Sequence, residues 1–230
     1  MKRMSYVLLI GLIVTIVYLP QFWVQAVLAR YNRKPEPDFP GTGGELARHI
    51  LSRYHLEAIK VETTDQGDHY DPVNRTVRLT RDKFAGRSLT AITVAAHECG
   101  HALQHAAGER LFMLRTKLAY SAVWAQRIGS LLLFAAPFMV LLFKIPSVAI
   151  INILGAFLIM GFALVVHLVT LPVEIDASFN KALPILESNY LTEKQKPAAR
   201  KILRAAAWTY VAASLATLLN FWRWLTILRR

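Results

Sequence analysis

The chain has 230 residues, 54% of them hydrophobic, with a formal net charge of +12 and a mean hydropathy of +0.34. That is too apolar for an ordinary soluble domain and points to membrane-spanning segments. One cysteine excludes an internal disulfide, and without a Cys/His finger, an RNA-binding signature or basic–aromatic interleaving the charge does not read as nucleic-acid binding; basic loops flanking apolar spans account for it.

Residues 4–29 carry no charged side chain. The run is long enough to cross roughly 30 Å of hydrocarbon with some tilt. Val27-Leu28-Ala29 has the form of a cleavage site, but the run is long for a signal peptide, and a retained N-terminal anchor is expected. Residues 35–44, rich in Pro and Gly, read as a linker. Thr42-Gly43-Gly44-Glu45 has the form of a capping box. It opens a short amphipathic helix over 43–55, with Leu46, Ile50, Leu51 and Tyr54 on one face. Ile59 and Val61 alternate with polar residues as in a half-buried strand. Asp65-Gln66-Gly67-Asp68 is a turn, and His69-Tyr70-Asp71-Pro72 through Leu79 reads as short extended segments around turns. Such a strand either pairs with a substrate backbone or forms a purely structural hairpin.

His97-Glu98-Cys99-Gly100-His101 follows. On a helix, residues four apart are offset by about 40° and roughly 6 Å of rise, so both imidazoles can meet one tetrahedral metal. Glu98 reaches beside that metal, placed to take a proton from water. The helix is expected over 88–107, with Ser88 as N-cap and Gly108 as the C-terminal stop. His105 lies eight residues beyond His97, about 12 Å along the helix, which is too far for a third ligand. Gln104 and Ala107 exclude the extended three-histidine arrangement, which needs Gly and His there. Cys99 reads as a small buried residue.

Residues 128–143 and 145–173 are uncharged and are broken at Lys144-Ile145-Pro146, which reads as a transmembrane hairpin. Lys181 to Arg204 is polar and basic. Residues 205–222 form a weaker apolar segment ending at Trp222-Arg223-Trp224, which spans or lies at the interface. Two spans between His101 and Glu174 would bring Glu174 back to the histidines' side. Two His and one Glu is an established catalytic zinc shell. Asp176 competes, but it lies about 200° from Glu174 around a helix, so the two cannot face one metal. Ser178, one turn after Glu174, shares its face and can hydrogen-bond a ligand histidine. His69, Tyr70 and His167 are candidates to stabilise an oxyanion.

The motif with Ala102-Leu103-Gln104-His105, the preceding Ser88-Leu89-Thr90 and Ala95-Ala96, His69-Tyr70-Asp71-Pro72, and Leu171-Pro172-Val173-Glu174 with Asp176-Ala177-Ser178 together resemble the bacterial YugP-like neutral zinc metallopeptidases. The resemblance covers most of the chain but little of the last 30 residues. It implies one Zn2+ per chain at His97, His101 and Glu174, with Glu98 catalytic. The layout is more distantly similar to HtpX and the CAAX prenyl proteases, membrane gluzincins with a Glu-x-x-Ala-Asp pattern; here Ser178 stands where that pattern has its final Asp.

The expectation is a mainly α membrane protein, with three to four transmembrane helices and a small α+β zincin-like catalytic domain. It divides into an N-terminal transmembrane helix (4–29), a catalytic region (30–116), a transmembrane hairpin (117–173), a third-ligand helix with a basic segment (174–204) and a C-terminal transmembrane or interfacial helix (205–230). Basic residues flanking the spans place the zinc site on the cytoplasmic side of a bacterial inner membrane. The expected partners are the lipid bilayer and a peptide or membrane-protein substrate, with no nucleic acid; the sequence is silent on oligomeric state. The expected activity is peptide hydrolysis. The alternatives are a non-catalytic membrane protein with a structural zinc clamp, and an intramembrane site-2-type protease.

Overall fold

The structure, a computed structural model, describes residues 19–20, 22–33, 39–143 and 147–208. Most of the 4–29 run, part of the linker and residues 209–230 lie outside them.

Helix α1 (Gly43–Arg53) starts on the expected capping box. The Thr42 hydroxyl accepts from the Glu45 amide, and the Glu45 carboxylate accepts from the Thr42 amide. Such a cap is worth about 1 kcal/mol. Strands β1 (Lys60–Thr63), β2 (His69–Asp71) and β3 (Thr76–Leu79) form one small sheet in the order β1-β3-β2. β1 runs parallel to β3, and β2 pairs antiparallel with it, Tyr70 opposite Val77. In the β2–β3 turn Asp71 accepts from the Val73 and Asn74 amides and pairs with Arg78 at 2.7 Å. A short helix, α2 (Arg81–Phe84), leads into α3 (Leu89–Ala106).

α3 is the axis of the fold. The Ser88 hydroxyl caps it by accepting from the Ala91 amide, and the chain leaves it at Gly108, whose φ of +63° suits a residue without Cβ. Its small residues Ala91, Ala95, Ala96 and Cys99 are fully buried. They let α1 and the sheet close around it through Ile50, Leu51, Val77 and Leu79. Cys99 is one of these packing residues, its Sγ 3.6 Å from the Ala47 carbonyl; burial pushes its thiol up, away from reactivity.

Two long helices follow, α4 (Arg110–Phe143) and α5 (Ser147–Ile175), packed against each other. Arg115 near the start of α4 meets Glu174 near the end of α5, so the pair is antiparallel. The chain then widens into a π-helical segment (Asp176–Ala182), which leads into a short helix, α6 (Leu183–Asn189). Residues 196–208 are again helical.

The expected membrane architecture is corrected here. Among the described residues no helix is long and apolar enough to cross a membrane, so a protein of three to four transmembrane helices is not what the structure contains. A run without charge is not a span. In α4 the uncharged stretch 128–143 falls short of the roughly 20 residues a bilayer requires, and the helix opens on Arg110, Arg115 and Lys117. The last turns of α5 are committed to protein contacts through buried Thr170, Val173 and Glu174. Where the 4–29 run enters the described residues, Val24 and Val27 are buried against Leu89, Ala199 and Ile202, and the Leu28 carbonyl accepts from Thr90. The helical hairpin nevertheless returns Glu174 to α3.

The crossing of α3 with the π segment is close. A Cβ on Gly100 would stand 2.7 Å from the Ala177 carbonyl oxygen, inside any tolerable contact. Gly100→Ala is therefore expected to destabilise the fold by about 1–3 kcal/mol, read as a lower urea midpoint; an unchanged midpoint would show that the crossing has slack.

Candidate metal centre

His97 and His101 face the same way from α3, and α5 brings Glu174 onto them. Glu174 Oε2 lies 3.1 Å from His97 Nε2 and 3.3 Å from His101 Nε2. The three donor atoms fall within 4.8 Å of one another. Glu174 is only 1% exposed, and both histidines are buried.

Each imidazole is held at its other nitrogen. Ser178 Oγ lies 3.1 Å from His97 Nδ1, so the Glu174 and Ser178 side chains grip one ring from two ends. Gln104 Oε1 lies 2.9 Å from His101 Nδ1. The Gln104 amide donates in turn to the Val173 carbonyl and to Asp176 Oδ2. A ring N–H donated to each oxygen leaves both Nε2 lone pairs aimed at a common point, the tautomer a metal ligand needs.

Electrostatics favour a cation at that point. Glu174 and Glu98 are two carboxylates in a buried setting, and unpaired charge there is costly. Burial raises the Glu174 carboxyl, but the imidazoles of His101 and His97 outweigh it and hold the group well below the usual carboxylate range. Its second oxygen, Oε1, accepts no hydrogen bond from the described residues; Arg115 Nη2 stands 3.4 Å away as an ion pair without hydrogen-bond alignment. Burial pushes the Glu98 carboxyl up to about 7, with the His97 imidazole opposing and the Glu174 charge adding. Two histidines, one glutamate and a further glutamate free beside them suit zinc in its catalytic form, with a position left open.

Aromatic residues close one side. Phe112 stacks on His105 at 5.5 Å between centroids and lies 6.1 Å from His101, with Arg115 over its ring. Burial raises the Tyr70 phenol to about 12 and lowers His105. A Tyr70 hydroxyl donating to neutral His105 Nδ1 fits their 2.8 Å separation. The other side opens into a cavity of about 200 Å³ bordered by Glu98, His97 and Glu174.

The structure thus gathers His97, Glu98, His101, Glu174 and Ser178. It leaves the three oxyanion candidates apart: His69 turns to the Gly67 carbonyl at 2.8 Å, Tyr70 is spent on His105, and His167 does not border the cavity. Asp176 faces away from the donor cluster, as its angular offset requires, and Lys181, Gln104 and Asn180 outweigh burial to hold its carboxyl at about 2. The sequence reading missed Gln104 and Arg115. Gln104 sits one turn past Gly100 on the motif helix, so the signal was its spacing from His101; nothing in the sequence ties Arg115 to Glu174.

Two buried histidines on a His-Glu-x-x-His helix, joined by a glutamate from another helix, have the make-up of a zinc peptidase centre. The chain belongs to the family described as "Putative neutral zinc metallopeptidase", which matches residues 6–229. It is also similar to "Putative membrane protease YugP" of Bacillus subtilis (strain 168), 35% identical over 210 residues, covering 90% of this chain and 89% of the relative. No solved structure matches.

Gln104→Leu removes the oxygen that orients His101 and strands the ring N–H. Zinc affinity is expected to fall about 10- to 100-fold, measured by competition with a chromophoric chelator; unchanged affinity would mean that His101 is oriented by other contacts.

Proposed function

We propose that the chain hydrolyses peptide bonds at a zinc centre held by His97, His101 and Glu174, with Glu98 as general base. The observation that carries this reading is the convergence of the three donor atoms beside a second buried carboxylate, Glu98, at the mouth of a cavity.

Bound zinc would supply a Lewis acid that acidifies water and polarises the scissile carbonyl. The protein's part is the rest. Glu98 receives the proton on its carboxylate and delivers it to the leaving amine. A carboxyl near 7 through burial suits a group that both takes and returns a proton near neutrality. Ser178 and Gln104 fix the two ligand rings, and the apolar cavity walls keep bulk water from the carboxylate. Arg115, 25% exposed beside Glu174, balances the negative charge.

The substrate in this proposal is a peptide segment, free or part of a membrane protein. Association with a membrane is part of the proposal too. It is supported by the name of the Bacillus subtilis relative and by exposed Trp23 and Trp124, the latter with Arg127 against its ring, a pairing suited to a headgroup layer.

Glu98→Gln is expected to keep its zinc and lose turnover of a quenched peptide by at least about 100-fold. Glu174→Ala is expected to lose zinc, as read by elemental analysis. Chelation of the wild type should abolish turnover, and added zinc should restore it. Full turnover in Glu98→Gln would leave zinc a structural clamp between α3 and α5.

A further inference from the structure

The long helices carry hydroxyl side chains in their usual resting state. Thr116, Ser121 and Thr170 each donate to the carbonyl four residues back, at Phe112, Lys117 and Val166. Thr93 on α3 does not. It is completely buried, yet among the described residues its Oγ1 has no hydrogen-bond partner. A buried hydroxyl left unpaired costs about 1–3 kcal/mol, so such a group calls for an explanation.

Its position supplies one. Thr93 precedes His97 by one helical turn, on the same face, and borders the cavity that opens on Glu98 and Glu174. The other walls are apolar: Val24 and Leu28 on one side, Ile202, Leu203 and Ala206 on the other. At about 200 Å³ it exceeds the roughly 150 Å³ apolar cavity that takes up a benzene ring.

We infer that this cavity is a specificity site receiving one bulky apolar side chain of the peptide next to the scissile bond, and that the Thr93 hydroxyl hydrogen-bonds the peptide group of that residue. The inference rests on the hydrolase reading for what the ligand is. A peptide group entering an apolar cleft loses its water, and the one free hydroxyl in the wall replaces it. An apolar side chain packs against Val24, Leu28, Ile202 and Leu203, whereas an acidic one would be desolvated beside Glu98 and Glu174. Selection is therefore for leucine- or phenylalanine-like residues and against aspartate and glutamate.

Binding without turnover tests this. The probes are a fluorescein-labelled hexapeptide with a central leucine and its aspartate counterpart. They are titrated by fluorescence polarisation into the full chain carrying Glu98→Gln and loaded with Zn2+. The leucine peptide should bind at least about tenfold more tightly than the aspartate one. Adding Thr93→Val should weaken the leucine peptide about tenfold. Thr93→Ser should restore it, and the melting temperature of the valine variant should not fall, because an unpaired hydroxyl has become a methyl. Ala206→Phe, which fills the cavity from the opposite wall, should also displace the leucine peptide and serves if Thr93→Val does not fold. Equal affinity with valine at 93 would overturn the inference, as would equal affinity for the two peptides or no binding to the parent. Failure of the hydrolase reading would show separately, as a wild type that cleaves no peptide while this binding persists.

Discussion

The fold is organised around one costly act, the burial of the Glu174 carboxylate between two imidazoles. A charge 1% exposed to solvent persists only where cations and donors replace its water. The chain assembles these from far apart. His97 and His101 come from α3, Arg115 from the start of α4, and Glu174 itself from the end of α5. The antiparallel α4–α5 pair exists, in this view, to carry the chain away from the motif and return it to the same point. Arg115, a quarter exposed and poorly aligned, only begins a charge balance that a bound metal cation would complete.

The return has to be close as well as correctly placed. Ser178 meets the far side of the ring that Glu174 meets on the near side, which requires the segment after Glu174 to lie against α3 itself. Gly100 permits this, since any side chain there would meet the Ala177 carbonyl. The π-helical turn starts at Asp176, between the two gripping residues, and wide turns of this kind are frequent at functional sites. It also leaves Asp176 on the side where Gln104 and Lys181 take it up. Asp176 thus braces His101 through an amide while Ser178 braces His97 directly. The two ligand histidines are oriented by different chemistry, and the hydroxyl at 178 does for one ring what an acidic residue two positions earlier does, at one remove, for the other.

Local signals were legible in the sequence because they act over a few residues. The Thr42–Glu45 box, the Ser88 cap, the Gly108 stop and the His-Glu-x-x-His spacing each depend on contacts within one or two turns, and each is present. Glu174 was reachable because the donor set of zinc is small and the even number of apolar runs constrained the path. Hydropathy nevertheless gives the wrong reason for the return: it marks the runs as bilayer spans, whereas the described helices do not meet that requirement. Hydropathy counts apolar side chains without saying what covers them. Arg115 and Thr93 are illegible for the same reason, since each owes its role to a neighbour brought in by the tertiary fold, whereas Gln104 is marked only by its spacing from His101.

The first apolar run shows what hydropathy conceals. Its end, residues 22–33, places Val24 and Val27 against the start of α3 and against residues 196–208, and Asn32 accepts from the Ser88 hydroxyl that caps the motif helix. The apolar side chains of this stretch therefore wall the cavity beside Glu98 as much as they face outward. An apolar wall there has a consequence for the chemistry. It keeps Glu98 out of water, which raises its carboxyl toward neutrality and strengthens every charge interaction at the centre. Beyond the metal-centre side chains, the same wall would offer an entering peptide group one polar partner, the hydroxyl of Thr93. In the proposed hydrolase, desolvation of Glu98 and selection for an apolar substrate residue would both follow from one structural choice, and a polar wall would forfeit both.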